Sequence, residues 1–495
     1  PQMVKALLRF QHIDVNCFDQ LLNTPLHFAS NFVIVNLLLR HGANVLLNNF
    51  EFMDPISTAV ENERFDLVHT MMPDLLKRYD HFHLDYRKLS PKSKCHKGTF
   101  LINRLRVLED SFDAVSGEPN WGNPKLNYEI QFEGETGFDQ GGLTREWISL
   151  LIGRFFEPNI PGESDSNENI EVEAFNNGSQ ANDVYDADNV DIGDYSNYAD
   201  NVNSVSRGNF EDTDSSTEID ENENYNTYNS INYAETYIYT FEGRQRNFEP
   251  FYYSPFECVD ADNKLYRISL SFTGPVEVYK FVGSILAKSF LWKVPLKVKL
   301  VPSIFKLLLG KTLTFEDLKD DDLVMYRSML HCLEPEFNFD AVNLTMPSNE
   351  DVIVNSDNLK RFLNETAIDA MYTRYKAQLD QLIQGFRATI MHKRVGAYFS
   401  PLELQTIFAG GDNVDRADFM RNIEFKGPYW STRAEMFSNA LNFLQDQELI
   451  ELFKIITGVN GLPYGGFSSL KKVITIFDEV TNSVPKSSTC FTYID

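Results

Sequence analysis

No run of about 18 apolar residues occurs anywhere in the 495-residue chain, so no segment reads as a membrane-spanning helix. The start of the chain also lacks the basic-then-apolar pattern of a secretory leader. Cysteine is scarce: five residues, at 17, 95, 258, 332 and 490, odd in number and never spaced C-x-x-C. That pattern argues against a disulfide framework and against a structural zinc site. It fits a reducing compartment, so a cytoplasmic location is expected, with the nucleus left open. Positive charge is short as well. The chain has 45 Lys and Arg against 71 Asp and Glu, a formal net charge of −26. Such a chain repels phosphate backbones, and nucleic acid is not an expected partner. The deficit is local. Residues 161–230 hold 18 acidic residues, 14 asparagines and a single basic residue, Arg207. Apolar residues there are sparse and aperiodic, which predicts a disordered, solvated insert.

What is abundant is core material: 43% hydrophobic residues, with 39 Phe and 22 Tyr, enough for several packed domains. The first 78 residues repeat. Asn23–Ser30 reads NTPLHFAS and Val35–Val45 reads VNLLLRHGANV. Asp54-Pro55 opens a second copy thirty residues after Thr24-Pro25, and VKALLRFQHIDVN precedes both. Thr24 is expected to cap a short helix with Pro25 at its first position, and Gly42 to end the next helix in a left-handed turn. These residues resemble ankyrin repeats, although the middle copy is about three residues short of the usual length and Ser57 stands where the second copy would carry histidine. Ankyrin stacks bind proteins, so substrate recruitment is the expected role. The opening repeat reads as incomplete. Residues 79–99 are polar and basic and read as a linker. Their histidines 81, 83 and 96 beside Cys95 fit no standard metal spacing, and neither metal nor cofactor is expected.

Farther on, helical periodicity is expected over Val276–Trp292, Pro302–Leu309, Asn358–Phe386, Pro401–Phe408 and Ala434–Ile456, and a strand within Leu470–Phe477. The tail Val484–Phe491 (VPKSSTCF) ends regular structure at Pro485 and leads through small hydroxyl residues to Cys490. A thiol in such a loop can form thioesters, because its thiolate is a strong nucleophile near neutral pH.

An ordered series of blocks gives that thiol a context. LEDSF (108–112), YEIQFE (128–133) and GETGFDQGGLTREW (134–147) come first, followed by FVGSILA (281–287) and LGKTLTFEDL (309–318). Then come VNSDN (354–358), PLEL (401–404), ITG (456–458), PYGGF (463–467) and the Cys490 tail. Together they resemble the HECT family of ubiquitin-protein ligases, over roughly residues 100–495 and interrupted by the acidic insert. The resemblance implies an α+β multidomain chain: ankyrin-like repeats over 1–78, a linker over 79–99, a mainly helical N-lobe over 100–428 and an α/β C-lobe over 429–495. It implies a hinge near Gly427-Pro428-Tyr429. It also implies that Cys490 accepts ubiquitin from a charged E2 conjugating enzyme and passes it to a substrate lysine. GFDQGG (137–142) lacks a phosphate-loop lysine and is expected to be a strand-to-helix turn capped by Thr144, with Arg145 and Glu146 structural.

Three departures from the family pattern are visible. Ser488 stands two residues before Cys490, where a histidine is usual. The stretch 334–353, in the region that forms the E2-gripping sub-lobe, is short. The chain stops at Asp495, five residues after the cysteine, so the chain as given is expected to be poorly active. Two other functions compete. One is a catalytically inactive HECT-like scaffold, which need not keep the cysteine. The other is a cysteine protease, for which no histidine lies in a recognisable context.

Overall fold

A computed structural model describes residues 1–10, 12–89, 96–116, 127–135, 139, 141–157, 251, 253–342, 344–411, 414–426, 430–470, 474–477, 487–488 and 493–494. The acidic insert 161–230, the expected hinge at 427–429 and Cys95 lie outside these residues. The described chain mixes helix and strand.

The repeats form as helices joined by tight hairpin loops. Asn31 caps the helix Phe32–Arg40, accepting the N–H groups of Val33 and Ile34, and Val35 and Leu38 are buried beneath it. Gly42 ends that segment at φ +87°, as the left-handed turn requires. Asp54 caps the helix Pro55–Glu61 by accepting the Ser57 N–H at 2.8 Å. Residues 25–28, expected to be helical, make only a turn. The Thr24 hydroxyl lies 2.9 Å from His27 Nδ1, and His27 Nε2 reaches the Met53 carbonyl at 3.1 Å. The histidine thus ties one repeat to the next, and local side-chain bonds satisfy groups that a helix would otherwise occupy.

The segment read as a polar linker is different in kind. Leu75–Leu89 is a helix, with Tyr79, Phe82 and Tyr86 buried at i, i+3, i+7 spacing. Phe82 packs against Phe290, Tyr398 and Phe399, with ring centroids 5.4, 5.4 and 5.7 Å away. The Tyr79 hydroxyl donates to the Phe290 carbonyl at 2.9 Å. His81 and Asp85 are buried too, and paired. His81 lies 2.8 Å from Asp54 Oδ2 and 3.0 Å from the Tyr398 hydroxyl. Asp85 accepts Ser57 Oγ at 3.1 Å and Arg394 Nη2 at 2.6 Å. Burial alone would raise the Asp54 carboxyl; the hydrogen bond and charge of His81, with the Ser57 amide, outweigh it and hold the carboxyl below its usual range.

The body centres on two long helices, Val278–Trp292 and Lys376–Thr389, which cross at Gly283 and Gly385. The Ser284 hydroxyl donates to the Gly385 carbonyl at 3.2 Å across that crossing. Around it lie the helix Gly142–Phe156, the parallel pair His96–Ile102 and Asn127–Phe132, and a three-stranded sheet of Phe256–Asp260, Leu265–Ile268 and Lys299–Leu300. The single helix expected over Asn358–Phe386 is two, Leu359–Met371 and Lys376–Thr389, joined by a 3-10 turn at Thr373–Tyr375. That expected over Ala434–Ile456 is also two, Trp430–Phe443 and Asp446–Thr457, the second opened by a capping box between Gln445 and Glu448.

Candidate active site

The C-terminal sheet has the spatial order Ser487–Ser488, Tyr493–Ile494, Ile474–Phe477, Ile423–Lys426. Its last two strands pair in parallel, Ile423 opposite Ile474 and Lys426 opposite Phe477. Tyr493 pairs in parallel with Thr475, and Ser488 pairs antiparallel with Tyr493. The helix Asp446–Thr457 packs beside Ser487–Ser488. The sequence expectation for a strand over Leu470–Phe477 is met at Ile474–Phe477. Cys490 itself falls among residues 489–492, between the paired Ser488 and Tyr493, and lies outside the described residues.

The same sheet spans the expected hinge near residues 427–429. Ile423–Lys426 precedes Gly427-Pro428-Tyr429, yet it pairs with Ile474–Phe477 beyond them. Backbone pairing of this kind joins the two sides, so the sheet unit begins ahead of the expected boundary.

The GFDQGG region holds a different cap from the one expected. Asp139 Oδ1 accepts the N–H groups of Gly141 (2.8 Å) and Thr144 (3.2 Å), and Asp139 Oδ2 accepts the Ile130 N–H at 3.1 Å. The Thr144 hydroxyl donates to the same carboxylate. Asp139 is therefore the residue that fastens strand to helix, and Thr144 supports it. Arg145 is buried, and Glu146 accepts Arg104 Nη1 at 2.7 Å, both in structural settings.

A separate small core is built from residues 313–371, around Phe315, Leu318, Met346, Phe362 and Met371. The short stretch 334–353 contributes a hairpin to it, Thr345–Met346 against Asn349–Ile353. The helix Leu323–Leu330 buries only Met329 in this core. Its outer side carries Leu323 at 43% exposure and Val324 at 77%, with Leu330 and Leu333 also exposed. Side chains this apolar are more often found facing inward. Sequence reading missed this face, because Leu323, Val324, Met325, Met329 and Leu330 surround the helix and look like buried positions.

Where the small core meets the body, partly buried Asp321 accepts the Ser303 N–H at 3.1 Å, at the first turn of Pro302–Leu308. Desolvation pushes its carboxyl up to about 7, with the Ser303 bonds pulling back only in part. The folded chain holds that proton to about pH 7, while the unfolded chain releases it near 3.8, so stability falls as pH rises through this window. Asp321→Asn should therefore raise the stability at pH 8 by about 1–2 kcal/mol and at pH 5 by less than half as much. Thermal melts at the two pH values check it, and an equal shift at both would contradict it.

Comparisons with known proteins agree with this layout. The model of the HECT domain (ubiquitin-transferase) matches residues 225–495, and that of the ankyrin repeat matches residues 22–50. The E3 ubiquitin-protein ligase Nedd-4 of Drosophila melanogaster is 21% identical over 85% of this chain and 35% of its own length. The E3 ubiquitin-protein ligase HUWE1 of Mus musculus is 25% identical over 49% of this chain and 6% of its own. The E3 ubiquitin-protein ligase TOM1 of Saccharomyces cerevisiae is 24% identical over 80% of this chain and 10% of its own. The chain thus spans about a third of the Drosophila relative's length and a tenth or less of the other two. With the ankyrin match ahead of it and a HECT match that runs through the Cys490 strands to the end of the chain, this protein belongs to the HECT-domain ubiquitin-transferase family.

Proposed function

We propose that the chain is a ubiquitin transferase that works through a thioester on Cys490. The observation that carries this reading is the HECT match running through the cysteine segment. In the first step the Cys490 thiolate attacks the thioester carbonyl that joins ubiquitin to an E2 cysteine. A new C–S bond forms, the old one breaks, and the E2 thiolate leaves. The two thioesters are close in energy, so this step depends on geometry more than on driving force. In the second step a substrate lysine amine attacks, loses its proton and expels the Cys490 thiolate. The amide formed is far more stable and draws the sequence forward. Neither step requires a metal or an organic cofactor. Ser488 stands two residues before the cysteine, and the proton that the Cys490 thiol gives up ahead of attack ends on the departing E2 thiolate.

The exposed face of Leu323, Val324, Leu330 and Leu333 suits the E2, whose docking needs an apolar centre. A change of Val324 to Asp should raise the concentration of charged E2 needed for half-maximal loading about tenfold and leave Cys490 alkylation unchanged. Titration of loading against E2 tests this, and an unchanged curve would remove the face from the reading. The small core and the body would make the N-lobe. The C-lobe would be the unit built on the four-stranded sheet, entered ahead of Ile423 rather than at residue 428.

The repeats suit substrate recruitment. Leu22 and Phe52, thirty residues apart, sit at hairpin tips with φ +61° and +60°, where glycine would be unstrained. They are 47% and 75% exposed, so no core explains their size. Charged E2 mixed with the full chain and run without reductant tests the proposal as a whole. A ubiquitin adduct that reductant removes supports transfer. Absence of any adduct, across a panel of E2 enzymes, would favour the inactive scaffold.

A further inference from the structure

The segment 458–469, which leads into the C-terminal sheet, is pressed against three other parts of the molecule. On one side Ser149 Oγ donates to the Gly458 carbonyl at 3.2 Å and accepts the Asn460 N–H at 3.3 Å. On a second side the Gly411 N–H donates to the Leu462 carbonyl at 2.9 Å. The third side is the helix Leu75–Leu89. Gly465 lies so close to it that a β-carbon there would stand 2.5 Å from Leu76 Cδ1. Lys293 completes that side. Its Nζ donates to Asp80 Oδ1 at 3.0 Å and to the Ser469 carbonyl at 2.8 Å, with the ammonium 5.0 Å from the Tyr79 ring centroid.

Lys293 occupies an awkward backbone position. It follows the last turn of Val278–Trp292 at φ +58°, in the left-handed region that glycine fills most readily at the end of a helix. Its side chain is nevertheless only 11% exposed, stretched between two elements. A strained backbone kept for a side chain with three partners points to a task for that side chain.

We infer that Lys293 is a positioning residue which, with Leu76 and Asp80, latches the unit carrying Cys490 to the helix that continues the repeats. The latch gives the repeats a mechanical path to the thiol. Asp54 and Ser57 of the repeats hold His81 and Asp85, and Tyr79, Asp80 and Leu76 on the same helix hold the latch. A rigid helix held by the latch at Leu76 and Asp80 and by the repeats at His81 and Asp85 passes a displacement from one set of contacts to the other. The inference rests on the transfer reading, because a latch matters only if the unit must face first the E2 and then the substrate.

Lys293→Gly separates position from stability. It removes the latch and relieves the backbone, so the melting temperature should stay within about 3 °C of wild type. Single-turnover loading from charged E2 and discharge to free lysine are measured on the full chain. The ratio of the two rates should shift at least about threefold, and Lys293→Arg, which can bridge the same oxygens, should return it toward wild type. Amide hydrogen exchange over 458–469 should rise about tenfold in Lys293→Gly and stay unchanged over 302–308. Exchange unaltered in 458–469, or both half-reactions changed equally, would overturn the latch. If wild type itself forms no thioester, the transfer reading fails, and the exchange measurement still decides whether the latch exists.

Discussion

Replacing Cys490 with alanine is expected to abolish the reductant-sensitive ubiquitin adduct and to lower ubiquitin transfer at least about a thousandfold. The size follows from the chemistry. Without the thiol, the substrate amine must attack the E2 thioester directly, with neither partner held at bonding distance. Cys490→Ser gives a sharper signature. A serine oxygen is a far weaker nucleophile at neutral pH, so loading slows; any adduct that does form is an oxyester, which reductant leaves intact. Three of the other cysteines serve as controls. Cys332 is buried in the small core, where burial also raises its thiol above the usual range. Cys17 and Cys258 are exposed, and Cys17 lies within the repeats. Serine at positions 17 and 258 should leave the adduct unchanged. Persistence of a reductant-sensitive adduct in Cys490→Ala would place the acceptor elsewhere and overturn the proposed mechanism.

The second large effect is on folding. Gly385→Ala should destabilise the body by about 3 kcal/mol or more. A methyl at position 385 would overlap the carbonyl of Lys280, and one at position 283 would overlap the carbonyl of Leu382. Both obstacles are backbone atoms of the partner helix, so no rotamer change removes them. The helices would have to separate, opening gaps along the buried residues Phe281, Leu286, Leu382 and Phe386 and breaking the Ser284 bond to the Gly385 carbonyl. The usual gain of about 1 kcal/mol from alanine over glycine within a helix is too small to offset this. Thermal unfolding and soluble yield would show it. Gly153→Ala, in a helix where no atom stands within 4 Å of the added methyl, should be neutral or stabilising by comparison.

Much of this organisation is legible in the residues. The thirty-residue spacing of Thr24-Pro25 and Asp54-Pro55 marks the repeats, and the order of short blocks around Cys490 marks the family. What escapes is of three kinds. Tyr79, Phe82 and Tyr86 carry helical spacing, but two aspartates and two histidines between them make Leu75–Leu89 look solvated. Those polar groups are partnered rather than exposed, and pairing is not written in the order of residues. The corner at Tyr372 carries no proline or glycine. It is held by Lys376 Nζ donating to the Tyr372 hydroxyl and to Asp380, at 2.9 and 2.7 Å. The sheet that places Ile423–Lys426 with the C-terminal strands joins residues fifty apart, and such long-range parallel pairing leaves no local trace.

The buried helix Leu75–Leu89 also bears on how such proteins are assembled by gene fusion. Recruiting modules and catalytic modules are commonly exchanged at exposed connections, where a cut disturbs neither fold. Here the connection contributes Tyr79, Phe82 and Tyr86 to the interior of the body and His81 and Asp85 to the repeats. A crossover before Leu75 would leave His81 and Asp85 in the body without Asp54 and Ser57, and one after Leu89 would strip the body of Tyr79, Phe82 and Tyr86. Replacing the repeats without loss would require the new module to supply its own partners for His81 and Asp85.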